Sequence, residues 1–177
     1  MILLEEIDST NLYAKRNIDD LAHGTVIRAK RQTGGRGQFE RKWVDLGSGN
    51  LFASIVLKNV KMSGGLTLAV ARAICSVLEE YGLQPQIKPP NDVLINGKKA
   101  AGILCESATQ GQNLKWVIIG IGVNLHAHKE DLAQIDRPST ALNLEGVDVQ
   151  PDEFLENFMS QLYNLEKLYE NSSNGFR

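Results

Sequence analysis

Along residues 66–81 the apolar side chains fall at Leu66, Ala69, Val70, Ala73, Ile74, Val77, Leu78 and Tyr81, the spacing of one helix face. Gly82 follows where such a helix would stop. The same period returns over 152–169, at Phe154, Leu155, Phe158, Met159, Leu162, Leu165, Leu168 and Tyr169, with Pro151 suited to its first turn. Elsewhere the apolar runs are short and β-branched. Residues 2–7 (ILLEEI), 24–31 (GTVIRAKR), 50–57 (NLFASIVL) and 115–125 (KWVIIGIGVNL) read as strands, the last a central one. Ser9 or Thr10 can cap a helix over 11–22. After QIK (86–88) and a Pro-Pro break, the Asn96-Gly97 pair predicts a hairpin joining 93–95 to 100–107. The polar end, 171–177 (NSSNGFR), is expected to fray.

Hairpin-linked strands with separate helices predict an α+β fold, a mixed β-sheet backed by helices on one side. A chain of 177 residues with 42% hydrophobic content fits one domain with a real core. The net charge of -2 argues against a nucleic-acid partner, because positive charge is confined to 28–43. No apolar run reaches transmembrane length and the opening turns acidic at once, which places the chain in the cytoplasm and off the membrane. Cys75 and Cys105 lie in apolar patterns and read as small buried hydrophobes.

Residues 31–43, RQTGGRGQFERKW, hold the densest chemistry. Gly34, Gly35 and Gly37 let the backbone approach a ligand, and Arg36 and Arg41 add forked donors for phosphate or carboxylate. A mobile basic surface loop is the alternative. In KPPNDV (88–93) Lys88 is held extended before Pro89 and Pro90, beside Asn91 and Asp92. This is either a rigid anion-stabilising lysine or a hydrophilic turn. In GKKAAGILCES, Lys98 and Lys99 follow the hairpin turn and Gly102 lies mid-strand, a mark of close approach by a ligand or backbone. Gly120 and Gly122 share one strand face, which makes either a ligand slot or tight helix–sheet packing; Asn124 ends that strand. His126 and His128 lack a third ligand and read as a solvated strand end, so no metal site is expected.

Taken in order, DSTN, RQTGGRG…RKW, K-x-PND, GKKAAGIL and GIGVNL resemble the biotin–protein ligases, or biotin–[acetyl-CoA-carboxylase] ligases. The likeness spans residues 5–125. It implies the class II synthetase-like catalytic domain shared with lipoate ligases, here residues 1–170, without the family's N-terminal DNA-binding helix-turn-helix or its C-terminal barrel-like domain. It implies activation of biotin with Mg2+ and ATP as biotinyl-5′-AMP, then transfer to a lysine of a biotin carboxyl carrier protein. DNA and membrane are not expected partners, and a homodimer is left open.

By motif, the resemblance gives Ser9, Thr10 and Gln32 to the ureido ring of biotin, Asn11 to biotin binding, and Gly35, Arg36, Gly37, Gly102 and Gly120 to the walls around it. Lys88 would bridge the biotin carboxylate and the α-phosphate. Arg41, Trp43, Asn91, Lys99, Gly122 and Asn124 would face the nucleotide, and Arg36, Lys88, Asp92 and Lys99 would serve catalysis. Gln38, Glu40 and Pro89 depart from the family pattern, which has arginine, glycine and tryptophan there. A lipoate ligase and a non-catalytic binder of biotin or adenylate are the competing readings.

Overall fold

The computed structural model describes residues 1–39, 41–47, 49–60, 65–110 and 113–173, leaving out the side chains of 59, 60, 110, 113 and 164–173. Glu40 and residues 174–177 lie outside the described residues, as do the side chains of Leu165, Leu168 and Tyr169. Among the described residues seven strands form one sheet: β1 (Ile2–Ile7), β2 (Val26–Gln32), β3 (Leu51–Val60), β4 (Pro85–Lys88), β5 (Asp92–Ile95), β6 (Lys98–Gln110) and β7 (Asn113–Val123). Their order is β1-β2-β3-β7-β6-β5-β4. Only β1 and β2 run parallel, so the sheet is mixed as expected.

The α-helices are α1 (Thr10–Arg16), α2 (Leu66–Glu80), α3 (Lys129–Leu132) and α4 (Pro151–Ser173). One sheet face carries Ile55, Ile103, Ile119 and Ile121, packed with Val70, Ile74 and Leu78 of α2 and Phe154 and Phe158 of α4. These are the i, i+3, i+4 positions that the apolar spacing marked, so burial of that stripe is what holds α2 and α4 on the sheet. α1 packs on the opposite face, where Ala14 meets Ile27, Val56, Trp116 and Ile118. Helices on both faces replace the one-sided backing expected from the sequence. The reason is that Val56 and Ile118 point away from α2 and still need cover.

Some boundaries moved. α1 stops at Arg16 instead of residue 22, because Asn17 leaves the helical region (φ -109°, ψ 17°) and its Nδ2 donates to the Tyr13 carbonyl. β2 begins at Val26, since Gly24 takes φ +78° in a turn. α4 continues through Ser173, into the stretch expected to fray. β3 and β6 run longer than their apolar cores, to Val60 and Gln110.

The face shared with α1 is divided in two. Its apolar half lies under α1. The other half carries a register row that crosses six strands: Lys88 opposite Asp92, Asp92 opposite Gly102, Gly102 opposite Gly122, Gly122 opposite Phe52 and Phe52 opposite Ala29. Directly opposite residues share a face, so Lys88 and Asp92 stand over the same surface as the two glycines.

Candidate active site

The glycine loop is a small hairpin. Trp43 N donates to Gly35 O (2.9 Å), Gly37 N to Arg41 O (2.7 Å), and Arg36 bridges Lys42. Phe39 sits at its tip with φ +55° and 84% exposed. Gly35 has no room for a side chain: a Cβ would lie 2.7 Å from the Trp43 carbonyl. The hairpin lies over the glycine half of the sheet. A Cβ on Gly122 would come within 2.7 Å of the Trp43 ring, and one on Gly102 equally close. A Cβ on Gly120 would strike Asn11. The missing side chains therefore admit the protein's own indole and amide in this structure. The buried Trp43 Nε1 has no hydrogen-bond acceptor among the described residues, a donor held ready at the cost of its desolvation.

Beneath the hairpin is a cavity lined by Ser9, Thr10, Gln32, Gln38, Asp92 and Lys99, among others. Its free space is about 60 Å³. Small-molecule sites usually offer roughly 300–1,000 Å³. With the hairpin and Trp43 as they stand, this space is smaller than such a site.

At one end stands a buried polar network. Ser9 caps α1, its hydroxyl accepting from Leu12 N. Gln32 Oε1 accepts from Thr10 N (2.8 Å) and Thr10 Oγ1 (3.2 Å). Ser54 Oγ joins Thr10 Oγ1 (2.7 Å) to Asn11 Oδ1 (2.6 Å). Asn11 Nδ2 donates to Glu106 Oε2 (3.0 Å) and to Leu104 O. Glu106 also receives Arg36 Nη1 at 3.2 Å, which ties the hairpin to β6.

The other end is cationic. Lys99 Nζ lies 2.5 Å from Asp92 Oδ1 and 5.2 Å from the Trp43 ring centre. Burial pushes the Lys99 ammonium below the ordinary lysine range, against the pull of Asp92, and the charges of Arg137 and Arg41 push the same way. An adjoining cavity of about 280 Å³ is lined by Arg41, Lys42, Lys99, Asn124 and Arg137.

Of the predicted residues, Ser9, Thr10, Asn11, Gln32, Arg36, Gly37, Arg41, Trp43, Asn91, Asp92, Lys99, Gly102, Gly120 and Gly122 border the central cavity. Gly35 lies in the hairpin above it. Lys88 is exposed at the end of β4, beside Asp92 in register, and borders the cavity only through that neighbour. Asn91 Nδ2 is engaged with Ile103 O (2.9 Å), and Asn124 Nδ2 with Thr140 O (3.0 Å). His126 is no solvated strand end. Its Nδ1 meets Gly49 O (3.0 Å) and its Nε2 meets Asp148 Oδ1 (2.8 Å), which raises its pKa. Ser54, Glu106 and Arg137 were missed. Ser54 had one sign, a hydroxyl inside the apolar run NLFASIVL; Arg137, in RPST, had none. Among the described residues no group of His, Cys, Asp and Glu could hold a metal, and no helix is long and apolar enough to cross a membrane.

Comparison with known proteins gives this geometry a family. The model of the biotin/lipoate A/B protein ligase family matches residues 3–124. A bifunctional ligase/repressor BirA of Bacillus spizizenii is 36% identical over 136 residues, 74% of this chain and 42% of that protein. A biotin–[acetyl-CoA-carboxylase] ligase of Paracoccus denitrificans is 35% identical over 167 residues, 87% of this chain and 68% of that one. The structure of a biotin protein ligase from Aquifex aeolicus in complex with biotin and ATP superposes with a TM-score of 0.80 at 31% identity, covering 96% of this chain and 71% of that one. The chain thus spans less than half the length of its Bacillus relatives, 42% and 34% of the two matched. It belongs to the biotin/lipoate A/B protein ligase family.

Proposed function

We propose that this member of the biotin/lipoate A/B protein ligase family activates biotin with Mg-ATP as biotinyl-5′-AMP and transfers it to a lysine of a biotin carboxyl carrier protein. The observation that carries the reading is a central cavity bordered by two unlike sets of side chains. One is a neutral hydrogen-bonding pair, Thr10 and Gln32, backed by Ser54; the other is the cations Lys99, Arg41 and Arg137, which also border the adjoining cavity. The first suits the ureido ring of biotin, which offers both donors and acceptors. The second suits the phosphates of the nucleotide. Magnesium comes with the nucleotide as part of the substrate.

A carboxylate that attacks the α-phosphate brings anion to anion, so fixed cations must offset the repulsion. Lys88 stands in the row of Asp92 and Gly102, on the surface where carboxylate and α-phosphate would meet. Lys99, held by Asp92, would face the phosphates. The hairpin 35–43 would open to admit both substrates and close over the mixed anhydride, keeping water away from it.

The test supplies Mg-ATP with biotin, or with lipoate, to the 177-residue chain, and follows pyrophosphate and the adenylate. Pyrophosphate release with biotin alone supports the reading. Release with lipoate alone makes this a lipoate ligase, and tight biotin binding without release makes it a binding module.

A further inference from the structure

One cation at the cavity was invisible in the sequence and comes from an unexpected place. The segment 138–140 extends the sheet alongside the start of β6. Lys99 N donates to Pro138 O (2.9 Å), Thr140 N donates to Lys99 O (2.9 Å), and Lys99 bridges Ser139 in parallel. Asn124 Nδ2 fastens Thr140 O, and Thr140 Oγ1 donates to Glu145 Oε1 (2.6 Å). Arg137 leaves the end of this clamp and borders both the central and the adjoining cavity.

Its setting differs from that of a surface loop arginine. The Arg137 side chain is 30% exposed, while its neighbour Asp136, which meets Nε at 3.4 Å, is 87% exposed. The carboxylate is open to solvent, whereas the arginine side chain is largely covered and borders both cavities. Among the described residues the two cavities are bordered by five cations, Arg36, Arg41, Lys42, Lys99 and Arg137, and by the carboxylates Asp92 and Asp136. Lys99 is paired with Asp92, Arg137 with Asp136, and Arg36 with Glu106 on β6, so five positive charges face three negative ones. This positive excess is concentrated in a chain whose net charge is -2. It is a field that a polyanion relieves.

The geometry points to Arg137 as the residue that binds the β- and γ-phosphates and neutralises the departing pyrophosphate, an assignment that rests on the adenylating reading of the site. In that step a carboxylate oxygen bonds to the α-phosphorus. The bond from the α-phosphorus to the α–β bridging oxygen breaks, and the electron pair leaves on the pyrophosphate. The added charge falls on the leaving group, which is where a forked guanidinium acts best. The clamp gives the fork a fixed origin, so little ordering is needed when the nucleotide arrives.

The test compares the parent with Arg137→Gln and Arg137→Lys. Four quantities are read: KM for ATP, the inhibition constant of inorganic pyrophosphate, biotin affinity, and lysine transfer from preformed biotinyl-AMP. Arg137→Gln should weaken both ATP and pyrophosphate about tenfold or more, the usual loss for one charge-assisted contact. Arg137→Lys should recover part of it. Biotin affinity and transfer should stay at parent values. An unchanged pyrophosphate constant in Arg137→Gln, or an equal loss of biotin affinity, overturns the assignment. If the parent forms no adenylate, the proposed function fails by itself. Calorimetry with inorganic pyrophosphate then decides the role of Arg137: binding that the Gln variant loses supports it, and binding that it keeps refutes it.

Discussion

Lys99 and Gly102 are three residues apart on β6 and yet share one face of the sheet: a Cβ on Gly102 would lie 3.0 Å from Lys99 Nζ. Odd spacing on a regular strand puts residues on opposite faces. Here the register between β5 and β6 shifts at Val93/Leu94, so that Val93 opposes Ala101 while Leu94 opposes Lys99. The extra residue, Ala100, turns Lys99 over to the cavity. That bulge brings Lys99 to Asp92 and Trp43.

Lys88 stands in the row of Asp92 and the two glycines, beside the Asp92 that borders the cavity. If it stabilises charge where carboxylate meets α-phosphate, Lys88→Ala lowers the rate of adenylate formation by on the order of 10²–10³. Biotin affinity changes far less. Single-turnover formation of biotinyl-AMP measures it, and a parent-like rate would make Lys88 a turn residue only.

Gly122 leaves room for Trp43, and a methyl group there would sit 2.7 Å from the ring. Gly122→Ala therefore displaces the indole or strains the strand, at a cost of about 1–3 kcal/mol. The expected result is a lower Tm together with a shift of Trp43 emission, read in a Trp116→Phe background. Unchanged Tm and emission would mean that Trp43 does not rest on β7.

His126 ties Gly49 to Asp148, and its pKa is raised first by the Gly49 carbonyl and then by Asp148. A folded-state pKa above the ordinary 6.5 means that the charged ring is favoured by folding. Its contribution is complete below about pH 6.5 and is lost as pH rises through the raised value. His126→Asn should therefore lose stability relative to the parent at pH 6 and converge on it above the raised pKa. Denaturant unfolding across pH 6–9 checks this, and parallel curves would exclude a titrating His126.

Gln38 borders the central cavity with a neutral amide. Gln38→Arg adds a charge-assisted contact to the adenylate, worth roughly 1.5–3 kcal/mol. Release of preloaded biotinyl-AMP should slow accordingly. Release as fast as in the parent, or faster, would show that position 38 does not face the phosphate.

Much of the chemistry was legible along the chain. The hairpin turn at Asn96-Gly97, the apolar stripes of α2 and α4, and the polar run around Ser9 and Thr10 each depend on neighbours within a few residues. The glycines of β6 and β7 were legible as a place of close approach, though not what approaches. Asn124, expected at the phosphates, borders the adjoining cavity, and its amide also holds the segment of Thr140, which the sequence did not show. Glu106 gave no signal, because its importance lies in Arg36 and Asn11, 70 and 95 residues away.

Sequence alone thus determined the type of most strands and helices, and it offered candidates for the chemistry. These depend on side-chain type and on periods of two or about four residues, both local properties. The pairing of distant strands decided the rest: the bulge that turns Lys99 inward, the indole of Trp43 on Gly102 and Gly122, and the clamp that delivers Arg137. Each is set by register between segments tens of residues apart. A one-residue shift reverses every side chain, and only burial across the whole sheet selects the register.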